Sequence, residues 1–171
     1  MEGTIFKIIL GPFRESSWGG LLFKQHKLFA LILPLNSKKA VLKKIRDLAK
    51  GEVVFSTKKH IACQRAVQDY FYGKKLHWYP QLDLSGFTDF QCKVLSAVQK
   101  IPRGTKWSYT KLARMIKSPG AVRAVGTVLA KNRLPLVIPC HRVIKKDGGL
   151  GKFSGGFGKK LKILMLKLEA G

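Results

Sequence analysis

The hydrophobic pattern of this chain changes character once, at residues 79–87, and that change limits the fold more than any other feature. Pro80 and Gly86 are turn residues set between two differently patterned regions. Before them, residues 4–10, 20–23 and 27–33 are short apolar runs that read as strands. Ser37 stands where it can cap a helix reaching Leu48. Residues 60–72 read as a second helix, with Ile61, Ala62, Ala66, Tyr70 and Phe71 on one side. Strands accompanied by helices predict a small α/β domain over residues 1–80, followed by a linker at 81–87.

From residue 88 the pattern is helical. Thr88 and Gln91 have the spacing of a capping box, and Phe90, Val94, Leu95, Val98 and Ile101 follow at helical intervals until Pro102 ends the run. Ser108 can cap a short helix carrying Tyr109, Leu112, Ala113 and Ile116. Ser118 can cap the next, with Pro119 in its first turn and Val122, Val125 and Leu129 inward. Two short helices joined at Lys117-Ser118 read as a helix-turn-helix. Residues 145–149 form a turn, 155–158 a glycine-rich loop, and 159–169 a last helix with Leu161, Leu164, Met165 and Leu168 inward. The expected class is therefore an α/β N-terminal domain and a mostly α C-terminal domain, residues 88–171, containing a helix-turn-helix and a short strand beside the reactive residues.

Thirty-three basic and nine acidic residues leave a formal net charge of +24. Fifteen basic and five acidic residues lie in 1–80, and 18 and 4 in 81–171, so the excess is spread along the chain. Such a field favours a polyanion, and DNA phosphate is the natural one. No apolar run approaches the roughly 18 residues that span a bilayer, and the start, Met-Glu-Gly-Thr, lacks the basic residues of a signal peptide. A cytoplasmic monomer, nucleoid-associated or nuclear according to the cell, is expected. Cys63, Cys92 and Cys140 cannot all pair, and His26, His60 and His77 match no zinc spacing. Free thiols, no metal and no cofactor are expected.

Residues 136–144 read Leu-Val-Ile-Pro-Cys-His-Arg-Val-Ile. The apolar run predicts a buried strand, which Pro139 ends because it has no N–H for a ladder. Cys140 then stands at the mouth of a packed element. A free thiol has a pKa of about 8.5 and needs an activator. His141 is adjacent, but neighbours on a strand face opposite ways, so a bend or a bridging water is required.

Residues 139–143, Pro-Cys-His-Arg-Val, resemble at every position the active-site signature of the O6-alkylguanine-DNA alkyltransferases. Ser108-Tyr109, Arg123-Ala-Val-Gly126, Asn132 and Ser154-Gly-Gly156 follow the family's order around it. The resemblance covers the C-terminal half, and residues 1–80 carry no matching motif. It implies single-turnover transfer of an alkyl group from O6 of guanine in double-stranded DNA to Cys140, after the nucleotide has been flipped out of the helix. His141 would take the thiol proton through a water, and Glu169 would orient His141, although the stretch from Ser154 to Glu169 is longer than the family's. Arg123 would fill the vacated stack, and Tyr109 would help rotate the nucleotide and donate toward the base. Asn132 would tie the DNA-reading helix to the catalytic segment. The Val143 carbonyl would accept from the guanine amine, Ser154 would donate toward O6, and Phe153 and Gly155 would wall the pocket. Arg114, Lys117 and Lys131 would meet phosphate, along the minor groove.

Two other readings compete. A non-enzymatic alkyltransferase-like protein would bind damaged guanine without reacting, and Cys140 argues against it. A basic helix-turn-helix regulator with a redox-sensing cysteine would need a dimer helix and a palindromic target, and no evident dimer helix stands in the sequence.

Overall fold

The computed structural model describes residues 1–10, 15–56, 60–153 and 155–170, without the side chains at 9, 10, 15 and 16. The chain forms two compact units, residues 1–83 with 155–157, and residues 84–154 with 158–171.

The first unit is built on a four-stranded sheet. β1 (Glu2–Leu10) pairs antiparallel with β2 (Glu15–Lys24), and β2 with β3 (Lys27–Leu35). The β2–β3 turn has Gln25 and His26 at φ 48° and 64°, the mirror-image turn whose twist suits a hairpin. Helix α1 (Lys38–Ala49) starts at Ser37, whose hydroxyl accepts from the Ala40 N–H at 3.2 Å. It presses Val41 and Ile45 onto Leu22, Ala30 and Ile32. A two-residue strand that the sequence pattern did not suggest, β4 (Val54–Phe55), adds parallel to β1 and completes the order β3-β2-β1-β4. It is too short to show a period. Helix α2 (Ile61–Phe71) is joined to β1 by Gln64 Nε2 donating to Thr4 Oγ1 and Gln68 Nε2 donating to the Lys7 carbonyl. Residues 81–83 pair with β3 through Leu28, although the sequence reads them as linker.

β2 is longer than the four residues expected. Its Gly19-Gly20 step has no apolar alternation, yet ladders on both sides hold it extended. Gly20 is also where α1 comes closest. A Cβ there would lie 2.8 Å from Val41 Cγ1 and 2.9 Å from Ile45 Cδ1.

The second unit is mostly helical. Helix α3 (Asp89–Gln99) opens with the expected capping box of Thr88 and Gln91. β5 (Trp107–Ser108) leads into α4 (Tyr109–Met115), capped by Ser108 Oγ accepting from the Lys111 N–H. The next junction differs from expectation. Ser118 caps nothing: its hydroxyl turns back to the Ile116 carbonyl, a 3-10 turn occupies Pro119–Ala121, and helix α5 (Val122–Ala130) begins after it. Ser118 has ψ 65°, well away from the extended 152°, 164° and 154° of the capping residues Ser37, Thr88 and Ser108, so its hydroxyl makes no cap bond to the turn that follows.

The expected strand at 136–138 is also corrected. That stretch is a buried turn with Leu136 at φ 70°, and Cys140–Arg142 forms a 3-10 turn. The local strand is β6 (Val143–Ile144), after the cysteine rather than before it, parallel to β5. A fully apolar run carries no period that separates a strand from a buried turn. Helix α6 (Lys159–Ala170) closes the unit.

Gly20→Ala should destabilise the protein by about 1–3 kcal/mol through overpacking under α1. Urea unfolding measures it, and an unchanged midpoint would show that α1 can lift without cost.

Candidate active site

Cys140 begins the 3-10 turn and is 8% exposed. Asn132 shapes the approach to it. Its Nδ2 donates to the Ile138 carbonyl at 2.9 Å, and its Oδ1 accepts from the Leu134 N–H at 3.0 Å. The same side chain hydrogen-bonds the thiol. One asparagine therefore ties the end of α5 to the backbone that carries the sulfur. Burial pushes the Cys140 thiol up, while the Asn132 hydrogen bond and the Lys162 charge pull it down.

The turn gives His141 and Arg142 a common target. Glu169, near the end of α6, is buried and takes both. His141 Nε2 lies 2.8 Å from Glu169 Oε1, Arg142 Nε donates to Oε2 at 2.8 Å, and Arg142 Nη2 donates to Oε1 at 3.0 Å. Arg142 Nη1 also donates to the Ile101 carbonyl just beyond α3. Burial alone would raise the Glu169 carboxyl, but the hydrogen bonds and charges of His141 and Arg142 outweigh it and hold it well below the usual carboxylate range. An ionised carboxylate only accepts, so the neutral imidazole carries its proton on Nε2 and keeps its lone pair on Nδ1. Burial lowers His141, Glu169 opposes this, and the charges of Arg142 and Lys162 lower it further. The ring is therefore neutral near pH 7 and can receive a proton.

Cys140 opens into a cavity of about 310 Å³. Tyr109 lines one side, Gly126, Leu129 and Ala130 of α5 another, and Lys152 and Phe153 a third. Burial raises the Tyr109 hydroxyl, and the charge of Cys140 adds to that. Gly151, at φ 69°, leaves the room that the Tyr109 ring fills: a Cβ there would stand 2.9 Å from the phenolic oxygen. A larger open groove of about 820 Å³, lined by Cys92 and Trp107, holds neither Cys140 nor His141.

The structure thus brings together Cys140, His141, Glu169, Asn132, Tyr109 and Phe153. Val143 is buried and its carbonyl is already engaged. Arg114, Lys117, Arg123 and Lys131 are exposed on α4, α5 and the residues that follow them. Gly155 groups with the first unit, and Ser154 lies outside the described residues.

Two residues escaped the reading of the sequence. Arg142 there supplied only positive charge, whereas here it grips the carboxylate that orients His141. Lys162, on α6, is 1% exposed, with Nζ donating to the Val143 carbonyl at 2.6 Å and the Leu150 carbonyl at 2.5 Å. Its spacing to Glu169 was the available signal: seven residues is two helical turns, so both share one stripe.

Cys140 thus opens into a cavity, and the residue after it holds its imidazole on a buried carboxylate. A family model described as 6-O-methylguanine DNA methyltransferase, DNA binding domain, matches residues 89–170. A methylated-DNA–protein-cysteine methyltransferase of Mycobacterium leprae is 41% identical over 98 residues, 57% of this chain and 59% of that protein. One from Methanothermobacter thermautotrophicus is 43% identical over 88 residues, 52% of this chain and 48% of the relative. The chain thus spans about half the length of these curated relatives. An O6-methylguanine DNA methyltransferase structure from Methanococcus jannaschii is 30% identical with a TM-score of 0.61, covering 91% of this chain and 90% of that one. The structure of Mycobacterium tuberculosis OGT in complex with DNA is 28% identical with a TM-score of 0.79, covering 99% and 93%. The chain belongs to the O6-methylguanine-DNA methyltransferase family.

Glu169→Gln should cost about 3–5 kcal/mol at neutral pH, because it leaves the Arg142 charge buried without its partner. The folded carboxyl lies below its unfolded value of about 4.3. Its stabilisation is complete above that value and is lost as pH falls through the folded value. The stability gap between wild type and variant should therefore narrow as a urea series is taken into acid. A gap that stays constant would place the effect in packing.

Proposed function

We propose that this protein repairs DNA by direct reversal, moving an alkyl group from O6 of guanine to Cys140 once per molecule. The observation that carries the reading is Cys140 lining a cavity of about 310 Å³, with the next residue, His141, held on the buried Glu169. The thiol proton passes through a water to His141. The sulfur forms a bond to the alkyl carbon as the bond from carbon to O6 breaks, and the departing guanine takes up a proton. The thioether has no route back to a thiol, so the protein is consumed. Glu169 keeps the imidazole in the tautomer that accepts.

The partner is double-stranded DNA containing O6-alkylguanine, and a damaged base inside a duplex must be flipped out, at a cost of a few kcal/mol. α4 and α5 act as a helix-turn-helix whose exposed Arg114, Lys117 and Lys131 meet phosphate along the minor groove. Arg123 enters the vacated stack. Tyr109 and Phe153 wall the base, and the Val143 carbonyl takes the guanine amine on its second lone pair. Residues 88–171 do this work, and 84–87 link them to the residues before. A protein with this activity works on chromosomal DNA, so association with the nucleoid is part of the reading; no helix among the described residues is long and apolar enough to cross a membrane. The DNA complex of the mycobacterial relative supports the choice of partner.

After incubation with O6-methylguanine duplex DNA, intact-mass spectrometry should show one added methyl, and peptide mapping should place it on Cys140. A methyl on Cys63 or Cys92 would sink the assignment.

Arg123→Ala should slow repair of the duplex by about 10–100-fold, the equivalent of a few kcal/mol of flipping cost. Its reaction with free O6-benzylguanine, which needs no flipping, should stay near the wild-type rate. Equal losses on both substrates would assign Arg123 to the pocket or the fold.

A further inference from the structure

Lysine is among the residues least often found buried, because its ammonium is strongly hydrated. Lys162 is nevertheless almost fully enclosed, in an inward stripe with Leu161, Leu164 and Met165. A methionine would pack there without losing any hydration. The ammonium instead reaches the Val143 carbonyl, three residues beyond the thiol, and the Leu150 carbonyl, shortly before the pocket residues Lys152 and Phe153. It also lies 5.9 Å from the Phe153 ring centroid.

Two carbonyls satisfy donors but do not neutralise a charge. Nearby, Arg142 and Glu169 cancel each other. The other ionisable groups of the site are His141, held neutral, Tyr109 and Cys140. Of these, Cys140 is the group whose negative charge acts on Lys162. Counted over Arg142, Lys162 and Glu169, the buried cluster carries one surplus positive charge, and a Cys140 thiolate brings it to zero.

We propose that Lys162 is a positioning residue of the thiol site: its buried ammonium fastens the Val143 and Leu150 carbonyls beside the cavity and is the fixed counter-charge of the Cys140 thiolate. In this role Lys162 acts through the sulfur rather than on the base or the alkyl group. Burial lowers Lys162 to about 8, and the charge of Cys140 opposes that fall, so the two groups are linked. Linkage is reciprocal: the cation favours the thiolate as much as the thiolate favours the cation. The inference deepens the proposed activity, but its test needs neither DNA nor guanine.

Alkylation of Cys140 by iodoacetamide should be followed against pH by quantitative peptide mass spectrometry, on wild type, Lys162→Met and Lys162→Arg. Lys162→Met should move the midpoint of the rate profile up by about one unit or more, so the rate near neutrality falls about tenfold while the plateau at high pH is kept. Lys162→Arg keeps the charge and should hold the midpoint within about half a unit. An unmoved midpoint in Lys162→Met, or a loss of rate that is uniform across pH, would overturn the proposal and leave Lys162 a packing role. If Lys162→Met does not fold, the wild type still decides. The Lys162 side chain, labelled at its ε-carbon and assigned by its absence in Lys162→Arg, is titrated by NMR before and after Cys140 is capped with methyl methanethiosulfonate. Capping should lower the Lys162 pKa, and an identical titration in both states refutes the coupling. A normal iodoacetamide result beside a failure to take up alkyl groups from DNA would count against the repair reading alone.

Discussion

Everything in the second unit converges on one buried carboxylate. Glu169 accepts from two successive residues, His141 and Arg142, which is possible only because they lie on a 3-10 turn. On a strand they would face opposite ways. The same arginine reaches the carbonyl of Ile101, just past α3, and Arg103 donates to the Leu168 carbonyl beside the acid. A single acid thus fixes the end of α3, the turn bearing the sulfur and the last turn of α6. Such a group is costly to bury. Here the cost is offset by three hydrogen bonds to its two oxygens, and the return is an imidazole whose tautomer is set.

The sulfur is placed by backbone rather than by regular structure. Asn132 uses both ends of its amide to close residues 132–138 into a buried turn, and Leu136 takes a left-handed conformation inside it. A branched or bulky residue at positive φ is strained. The strain is held because Leu134, Leu136, Val137 and Ile138 are all buried around it. The result is a rigid platform at the mouth of which Cys140 meets the cavity. Rigidity would serve the displacement proposed for Cys140, which needs the sulfur, the reacting carbon and the leaving oxygen in line.

Where local chemistry determined the element, the sequence was readable. The caps at Ser37, Thr88 and Ser108 all form, since a side-chain oxygen near orphan N–H groups needs no tertiary help. The motif at 139–143 and the acid at 169 were legible because the family resemblance carries them. What was not legible depends on contacts distant in sequence. The strand expected at 136–138 is a turn because Asn132 supplies the bonds that a ladder would have supplied. β4 exists because β1 has an open edge, not because two residues prefer to be extended. The α5 start moved because Ser118 leaves the extended geometry of a cap, at ψ 65°, and a 3-10 turn takes up Pro119–Ala121 before the helix begins.

The last helix shows most clearly what a pattern of apolar residues leaves out. Read by hydrophobicity, α6 has an inward stripe of Leu161, Leu164, Met165 and Leu168, and its charged residues belong to solvent. Read by position, residues 162 and 169 fall on that stripe as surely as the leucines do, two turns apart. The buried face of α6 therefore carries a cation at one end and an anion at the other. The anion meets the imidazole and the guanidinium, while the cation meets the carbonyls beyond the thiol. Their separation along the helix, about 10 Å at 1.5 Å per residue, keeps each beside its own target instead of collapsing them into a pair. A helix that hydrophobicity reads as plain core packing thus carries both the acid that holds His141 and the cation that holds the Val143 and Leu150 carbonyls.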